Sequence, residues 1–246
     1  MYSNREIMEN AKETLRGEWL KFIALYFIIN VVLCALSFIS PVPFLVSVLS
    51  VLVNASVTYL VFDLSNGYEF DLKGSILEIR QYLNAIVGSI LYGLIWVPFF
   101  IMWFGFLMLV MFDLIVNFLP TLGAMPVHVD TLSVFNNPIV LAVIFVLNVI
   151  SIIVGIIYSQ WFYVVITNNH INCIQAFKIS RLLMKGHLSQ LFLLNLKFVI
   201  LSILCIPTFG IGFLFLVPYV NVSYVEFYKA LLDANEDVVV EFDLEE

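Results

Sequence analysis

Charge is the scarcest commodity in this chain. Asp, Glu, Lys and Arg together make up 12% of it, about half the ~25% carried by an ordinary soluble domain. That is too little to coat a water-facing surface of this size, so a water-soluble globule is excluded. Cysteine is nearly absent too. Cys34, Cys173 and Cys205 stand far apart and make no Cys-x-x-Cys pair. They read as small buried hydrophobes, and neither a disulfide nor a metal site is expected. The motifs of common enzymes are missing: there is no Gly-Lys-Ser/Thr phosphate loop, no His-Glu-x-x-His and no Gly-x-Ser-x-Gly. His128, His170 and His187 fall in a loop, a loop and a helix end, where no catalytic or metal role is expected. A cleavable leader is not expected either. Some 21 polar, amphipathic residues precede the first apolar run, and no small-residue cleavage site follows it.

What the chain has is apolar sequence. Hydrophobic residues make up 62%, the mean hydropathy is +1.04, and the bilayer must act as solvent for most of the chain. A helix needs about 20 apolar residues to cross a hydrocarbon core of ~30 Å. Six spans meet that requirement, at about 22–40, 44–62, 83–103, 139–163, 191–206 and 209–228. Ser40-Pro41-Val42-Pro43 turns the first span into the second. Trp19, Trp103 and Trp161 fall at expected interfaces, where indole rings prefer to sit, whereas Trp96 does not.

The third span poses a problem, because apolar sequence runs on from Tyr82 to Leu119. That would be roughly 55 Å of helix at 1.5 Å per residue. Either the stretch crosses twice, or it crosses once and continues as an outer helix. A second crossing would put the basic segment 178–185 outside. One span is therefore expected, with a break near Gly105. Residues 106–119 then form an interfacial or re-entrant segment, with Asp113 in water.

The basic residues set the orientation. Of the 11 Lys and Arg, four precede the first span (Arg5, Lys12, Arg16, Lys21), two lie in the second connection (Lys73, Arg80) and three in the fourth (Lys178, Arg181, Lys185). Lys229 sits at the last exit, and Lys197 alone is inside a span. Cytoplasmic loops are enriched in Lys and Arg, so both termini are expected in the cytoplasm. The net charge of −7 comes largely from a tail, 231–246, rich in Asp and Glu. That tail is expected to be disordered, or else to pair through Val238-Val239-Val240 as a strand.

Several side chains are candidates for function. On the inner segment 172–187, Ile174, Phe177, Arg181 and Met184 are expected on one side, with Lys178 and Lys185 nearby. A basic amphipathic helix suits anionic headgroups at the inner leaflet, or a protein partner. Lys197 lies about six residues into the fifth span, and the acid at a compatible depth is Glu226, so a Lys197–Glu226 pair is expected. Asn30, Asn54, Asn148, Asn195 and Asn221 also lie within spans, where interhelical hydrogen bonds are the ordinary use. Asn148 and Asn195 are counted with Lys197 and Glu226 as intramembrane polar candidates.

An internal echo is visible. Leu15-Arg16-Gly17-Glu18-Trp19 leads into span one, and Met184-Lys185-Gly186-His187-Leu188 leads into span five. Ser56-x-x-Tyr59, Ser159-x-x-Phe162 and Ser223-x-x-x-Phe227 precede Asn66, Asn168 and Asn235. Three pseudo-repeated units follow from this, each an inner amphipathic helix and a helical hairpin. Such repeats often enclose a midplane site.

The carboxyl-terminal half carries a more specific pattern. Ala176-Phe177-Lys178-Ile179-Ser180-Arg181-Leu182-Leu183-Met184-Lys185-Gly186-His187 is followed by Leu191-Phe192-x-Leu194, Gly210-Ile211-Gly212, Pro218-Tyr219 and Phe227-Tyr228. At the other end stand Ala11-Lys12, Leu15, Gly17 and Trp19. The whole resembles the bacterial integral membrane family called domain of unknown function 975. The matching motif positions are Ser180, Met184, Gly186, His187, Pro218, Tyr219, Phe227 and Tyr228. The chain departs from the pattern at Lys197, where the family usually has a small polar residue, and near Leu201, where it usually has an aromatic. The stretch 106–137 also looks longer than usual. The resemblance implies a membrane fold and a cell-membrane location, and it implies no catalytic residue.

The expectation is an all-α, polytopic membrane helical bundle of about six transmembrane helices. It has a cytoplasmic amphipathic helix at 1–21, a membrane domain at 22–230 and an acidic tail. The expected function is non-enzymatic, a membrane accessory or interaction protein of the cytoplasmic membrane, with no cofactor and no nucleic acid. A transporter of small molecules or lipids is the first alternative. A lipid-acting membrane enzyme is the second, and it would need converging acids or a His–acid pair in one leaflet.

Overall fold

In a computed structural model of the protein, residues 2–39, 43–118, 138–208 and 210–244 are described, and they form helices and turns without a strand. The chain begins with a short amphipathic helix, α1 (Asn4–Thr14). Ser3 starts it. Its hydroxyl accepts from the Glu6 N–H, and the Glu6 carboxylate accepts from the Ser3 N–H in return. This reciprocal cap contributes about 1 kcal/mol. Ile7 and Ala11 on one face of α1 are fully buried, and so is Leu15 just beyond it.

α2 (Trp19–Ile39) and α3 (Pro43–Ser65) follow. Then come α4 (Ile79–Phe118), α5 (Pro138–Ile157), α6 (Trp161–Thr167) and α7 (Cys173–Leu183). A short 3-10 turn at Ile206–Thr208 separates α8 (Leu188–Cys205) from α9 (Ile211–Ala234), and α10 (Glu236–Phe242) closes the chain. Among the described residues six stretches are long and apolar enough to cross a membrane, at α2, α3, α4, α5 with α6, α8 and α9. Their outward faces are apolar: Phe38 is 87% exposed and Ile39 78%. Lipid is the solvent that makes such faces stable, because it has no water to order. The chain is a multi-pass membrane protein.

Residues 1–89 and 156–246 form one compact unit, and 90–155 form another. In the first, α9 is the hub and touches α1, α2, α3, α8 and α10. The core lies where α3, α6 and α9 meet. There Tyr163 stacks on Tyr228 with ring centres 5.7 Å apart, and Phe62 packs against Tyr228 at 6.3 Å. Gly88 lets α4 approach Trp161. A Cβ there would fall 2.2 Å from the indole, so no larger residue fits without displacing the ring. In the second unit Trp96 packs on Gly155 in the same way, with a Cβ placed at 2.8 Å.

The two basic-Gly steps are built alike. Both α1 and α7 begin with a capping box, at Ser3/Glu6 and at Asn172/Gln175. Both end in a turn whose glycine has positive φ, +89° at Gly17 and +87° at Gly186. Leu15 N–H donates to Ala11 and Met184 N–H to Ser180. Then Glu18 N–H donates to Leu15 and His187 N–H to Met184. A residue with a Cβ is strained at such φ, which is why glycine stands at both. The second of the three expected units has no inner helix, since residues 66–78 hold only turns and irregular chain.

Other expectations are corrected. α4 runs unbroken through Gly105 for 40 residues, about 60 Å at 1.5 Å per residue. The break expected near Gly105 is therefore not formed, because a glycine without a local clash does not stop a helix of such apolar content. The fourth apolar stretch runs from Pro138 to Thr167, past the expected end at 163, but it is not one continuous helix. It breaks at 158–160, between α5 and α6. Trp161 is buried and stacked on Phe177 at 5.2 Å. The tail is neither disordered nor a strand: residues 236–242 are α10, with Val238 and Val239 buried. Glu236 and Asp237 in its first turn suit the positive end of the helix dipole. The side chain of Asp113, the turn at 40–42 and the loop 120–137 lie outside the described residues.

Candidate functional site

Polar side chains of the larger unit gather at the end of the bundle where α1, α7 and α10 lie. There they tie helix ends to one another. Glu226 on α9 is buried, and the Thr14 hydroxyl at the end of α1 donates to its Oε1 at 3.0 Å. One turn on, Lys229 Nζ donates to the Ser65 carbonyl at the end of α3, at 2.7 Å. A cation at the last carbonyl of a helix meets the negative end of its dipole. The Tyr219 hydroxyl donates to the Met8 carbonyl at 3.1 Å, which pins α1 to α9 a second time.

Thr167 is the centre of a second group. Its hydroxyl donates to the Tyr163 carbonyl at 2.9 Å and lies 2.8 Å from Asn168 Nδ2 and 3.2 Å from the Tyr228 hydroxyl. A threonine hydroxyl has one proton and two lone pairs, so Asn168 and Tyr228 are the donors and Thr167 is fully satisfied. Gln81, at the start of α4, donates to the Ile166 carbonyl at 2.7 Å and accepts from the Glu78 N–H. Arg80 donates to the His170 carbonyl and to Asn172 Oδ1, and Asn84 donates to the Ile171 carbonyl.

The motif residues have definite places. Ser180 mends the break between α5 and α6: its hydroxyl donates to the Ile157 carbonyl at 3.0 Å and accepts from the Gln160 N–H at 3.1 Å. Met184, Pro218, Phe227 and Tyr228 are buried. Gly186 makes the left-handed turn before α8, and His187 occupies the position just before α8 without a side-chain capping bond. Burial holds the His187 imidazole below its ordinary pKa. Ser180, Met184, Gly186 and His187 thus serve helix ends and turns, whereas Pro218, Tyr219, Phe227 and Tyr228 lie within α9 and pack it into the core.

The remaining candidates are scattered. Lys197 is exposed, and its expected pair with Glu226 is not formed. Glu226 faces α1 instead, which sequence spacing could not reveal because Thr14 is 212 positions away. Four of the five span asparagines bond within their own helix, at the carbonyl four residues back: Asn30 to Tyr26, Asn54 to Ser50, Asn148 to Ile144 and Asn221 to Val217. Asn195 alone bonds across helices, accepting from the Tyr224 hydroxyl. Asn148 belongs to the smaller unit.

The expected stripe on α7 is also corrected. Met184 is buried while Ile174 and Arg181 are exposed, so they do not share a face. The buried side is Ala176, Ile179, Ser180 and Leu183. The exposed side carries Lys178 and Arg181, three residues apart on one helical face, and Lys185 is exposed in the turn that follows α7. Lys178 Nζ lies 5.1 Å from the centre of the Phe242 ring of α10. The His170 ring is 3.1 Å from the Phe242 carbonyl.

Thr14, Gln81 and Thr167 were not singled out by the sequence, and Arg80, Asn168 and Lys229 were read only for topology or for the internal echo. Their only signal was position, each a polar residue within a few places of a span end. Among the described residues no group of three or more His, Cys, Asp or Glu side chains is arranged to hold a metal ion. Two cavities of the larger unit are mainly apolar. One of about 580 Å³ lies between α2 and α9, with Asn30 in its wall. Another of about 500 Å³ opens beside Lys12.

No curated protein and no solved structure matches the chain. A family model described as "Protein of unknown function (DUF975)" matches residues 1–235. The match takes in both basic-Gly steps, all six apolar stretches and the closing Phe-Tyr pair, and on its strength the chain belongs to that family.

Proposed function

We propose that the protein is a non-enzymatic accessory or interaction protein of the cytoplasmic membrane, with both termini in the cytoplasm. Its α7 face would dock anionic headgroups and a protein partner. The observation that carries this reading is the exposure of Lys178 and Arg181 on α7 and of Lys185 in the turn that follows it, away from the buried side Ala176, Ile179, Ser180 and Leu183. Each cation near an anionic leaflet contributes about 1 kcal/mol. Orientation is supported by charge. The segments at the α1/α7 end carry Arg5, Lys12, Arg16, Lys73, Arg80 and the three cations Lys178, Arg181 and Lys185, and such segments are retained in the cytoplasm.

Transport has less support, because the buried polar groups around Thr14, Thr167 and Ser180 are bonded to one another and do not line the two cavities above. The test is mass spectrometry of what copurifies from native membranes in mild detergent, for the wild type and for K178E/R181E/K185E. A stoichiometric protein partner lost in the variant, with unfolding temperature unchanged, supports the reading. A wild type that carries a single metabolite and no protein overturns it in favour of transport.

A further inference from the structure

The groove beside Lys12 has a definite shape and charge. It is about 500 Å³, within the ~300–1,000 Å³ of small-ligand sites. Its walls come from α8 (Leu201, Leu204) and α9 (Phe215, Leu216), with Trp19 of α2 and Lys12 of α1 also contributing. Tyr219 lies at the same end as Lys12, since its hydroxyl bonds the Met8 carbonyl of α1 and its ring is 6.5 Å from Trp19. Cys205 and Gly212 mark the other end, where a Cβ on Gly212 would come within 2.7 Å of Cys205 Sγ. The groove is therefore apolar along its length and carries an amine and two amphipathic rings at one end.

A second amine stands on α8 just beyond the residues that line the groove. Lys197 is four residues before Leu201 and seven before Leu204, which puts all three on one face of α8. Its depth is fixed by its neighbour Phe198, whose ring meets Tyr219 edge-on at 6.1 Å. The same ring meets Tyr224 at 5.8 Å, so Lys197 lies between the levels of Tyr219 and Tyr224. Both lysines are exposed, and neither has an acid partner among the described residues. Glu9, one turn before Lys12, is held by Arg5 at 2.9 Å.

We propose that this groove holds one anionic phospholipid, with its phosphate between Lys12 and Lys197 and an acyl chain along Leu201, Leu204, Phe215 and Leu216. Two amines without a counter-ion, at the rim of an apolar channel, complement a headgroup of negative charge joined to a hydrocarbon chain. Trp19 and Tyr219 flank the headgroup level, where amphipathic rings are most stable. The site also gives Lys197 a role. An amine inside a span is expensive unless it reaches a polar partner, and the lipid phosphate provides one. This site is separate from Lys178, Arg181 and Lys185.

The experiment is native mass spectrometry of the full chain in mild detergent, equilibrated with phosphatidylglycerol or with phosphatidylcholine of identical acyl chains. Wild type is compared with K12M/K197M and with K178E/R181E/K185E. One phosphatidylglycerol per chain is expected to stay bound to wild type in preference to phosphatidylcholine. It should bind roughly 30-fold more weakly to K12M/K197M, from about 1 kcal/mol for each amine. The α7 variant should retain it, so the groove and the docking face are distinguishable. Inorganic phosphate at equal concentration should not displace the lipid. Because Lys12 and Lys197 are exposed, the double variant is expected to fold, which its unfolding temperature without lipid checks. Equal retention of the two lipids by wild type, undiminished retention by K12M/K197M, or loss only in the α7 variant overturns the proposal.

Discussion

The Thr14 hydroxyl donates to Glu226 Oε1 at 3.0 Å, and this bond joins the first helix of the chain to its longest-range partner, α9. Replacing Thr14 with Val keeps the shape and removes the donor. Glu226 is buried, and an acceptor stranded in that way costs about 1–3 kcal/mol. Thermal unfolding in detergent should show that loss for T14V and a smaller one for T14S. An unchanged midpoint for T14V would mean that the bond contributes nothing.

Ser180 holds the break between α5 and α6 through two hydrogen bonds. Ser180→Ala removes both and leaves the Gln160 N–H without its acceptor. The expected loss is about 1–3 kcal/mol. Hydrogen exchange at the Gln160 amide should speed up by a larger factor than exchange in α9. Uniform acceleration everywhere would point to global loosening instead.

Gly17 and Gly186 have open space around them, so an added methyl group would strike nothing. Only backbone strain is then at stake. Alanine at either turn should cost roughly 1–2 kcal/mol, and asparagine less, because its side chain is tolerated in the left-handed region. Unfolding temperatures of the four single variants, G17A, G17N, G186A and G186N, check this ranking.

His187 supplies a pH dependence. Burial keeps its folded-state pKa below the ordinary value, while in the unfolded chain it titrates near ~6.5. As pH falls below about 6.5 the unfolded chain takes up a proton that the folded chain resists, so stability present above that value is progressively lost. Melting curves between pH 7.5 and 5.5 should show a decline that His187→Gln removes. A decline of equal size in H187Q would assign it to other groups.

The features legible in the sequence were those that depend on neighbours in the chain. Twenty apolar residues in a row specify a membrane-crossing helix, and a basic residue followed by Gly at 16–17 and 185–186 specifies the turn that precedes one. What was hidden depended on distant contacts. Nothing near 158–160 announces a break, because it is made good by Ser180 from another helix. Lys197 and Glu226 looked like partners on depth alone, yet the acid turns toward Thr14. The tail's Asp and Glu suggested solvent, but Val238 and Val239 bury against the bundle and draw α10 down with them. The span asparagines misled for a related reason. A carbonyl four residues back is always within reach, so Asn30, Asn54, Asn148 and Asn221 need no second helix.

The central position of α9 has a consequence for how the protein is made. α1, α2 and α3 all rest on α9, yet residues 66–210 must leave the ribosome before α9 begins to emerge. At about 5–20 residues per second that takes roughly 7–30 s. Through that interval Thr14 and Leu15, and the inner faces of α2 and α3 in the bilayer, wait without their eventual neighbour. A chain stopped before residue 211 would leave them so permanently, as a natural target for membrane quality-control proteases.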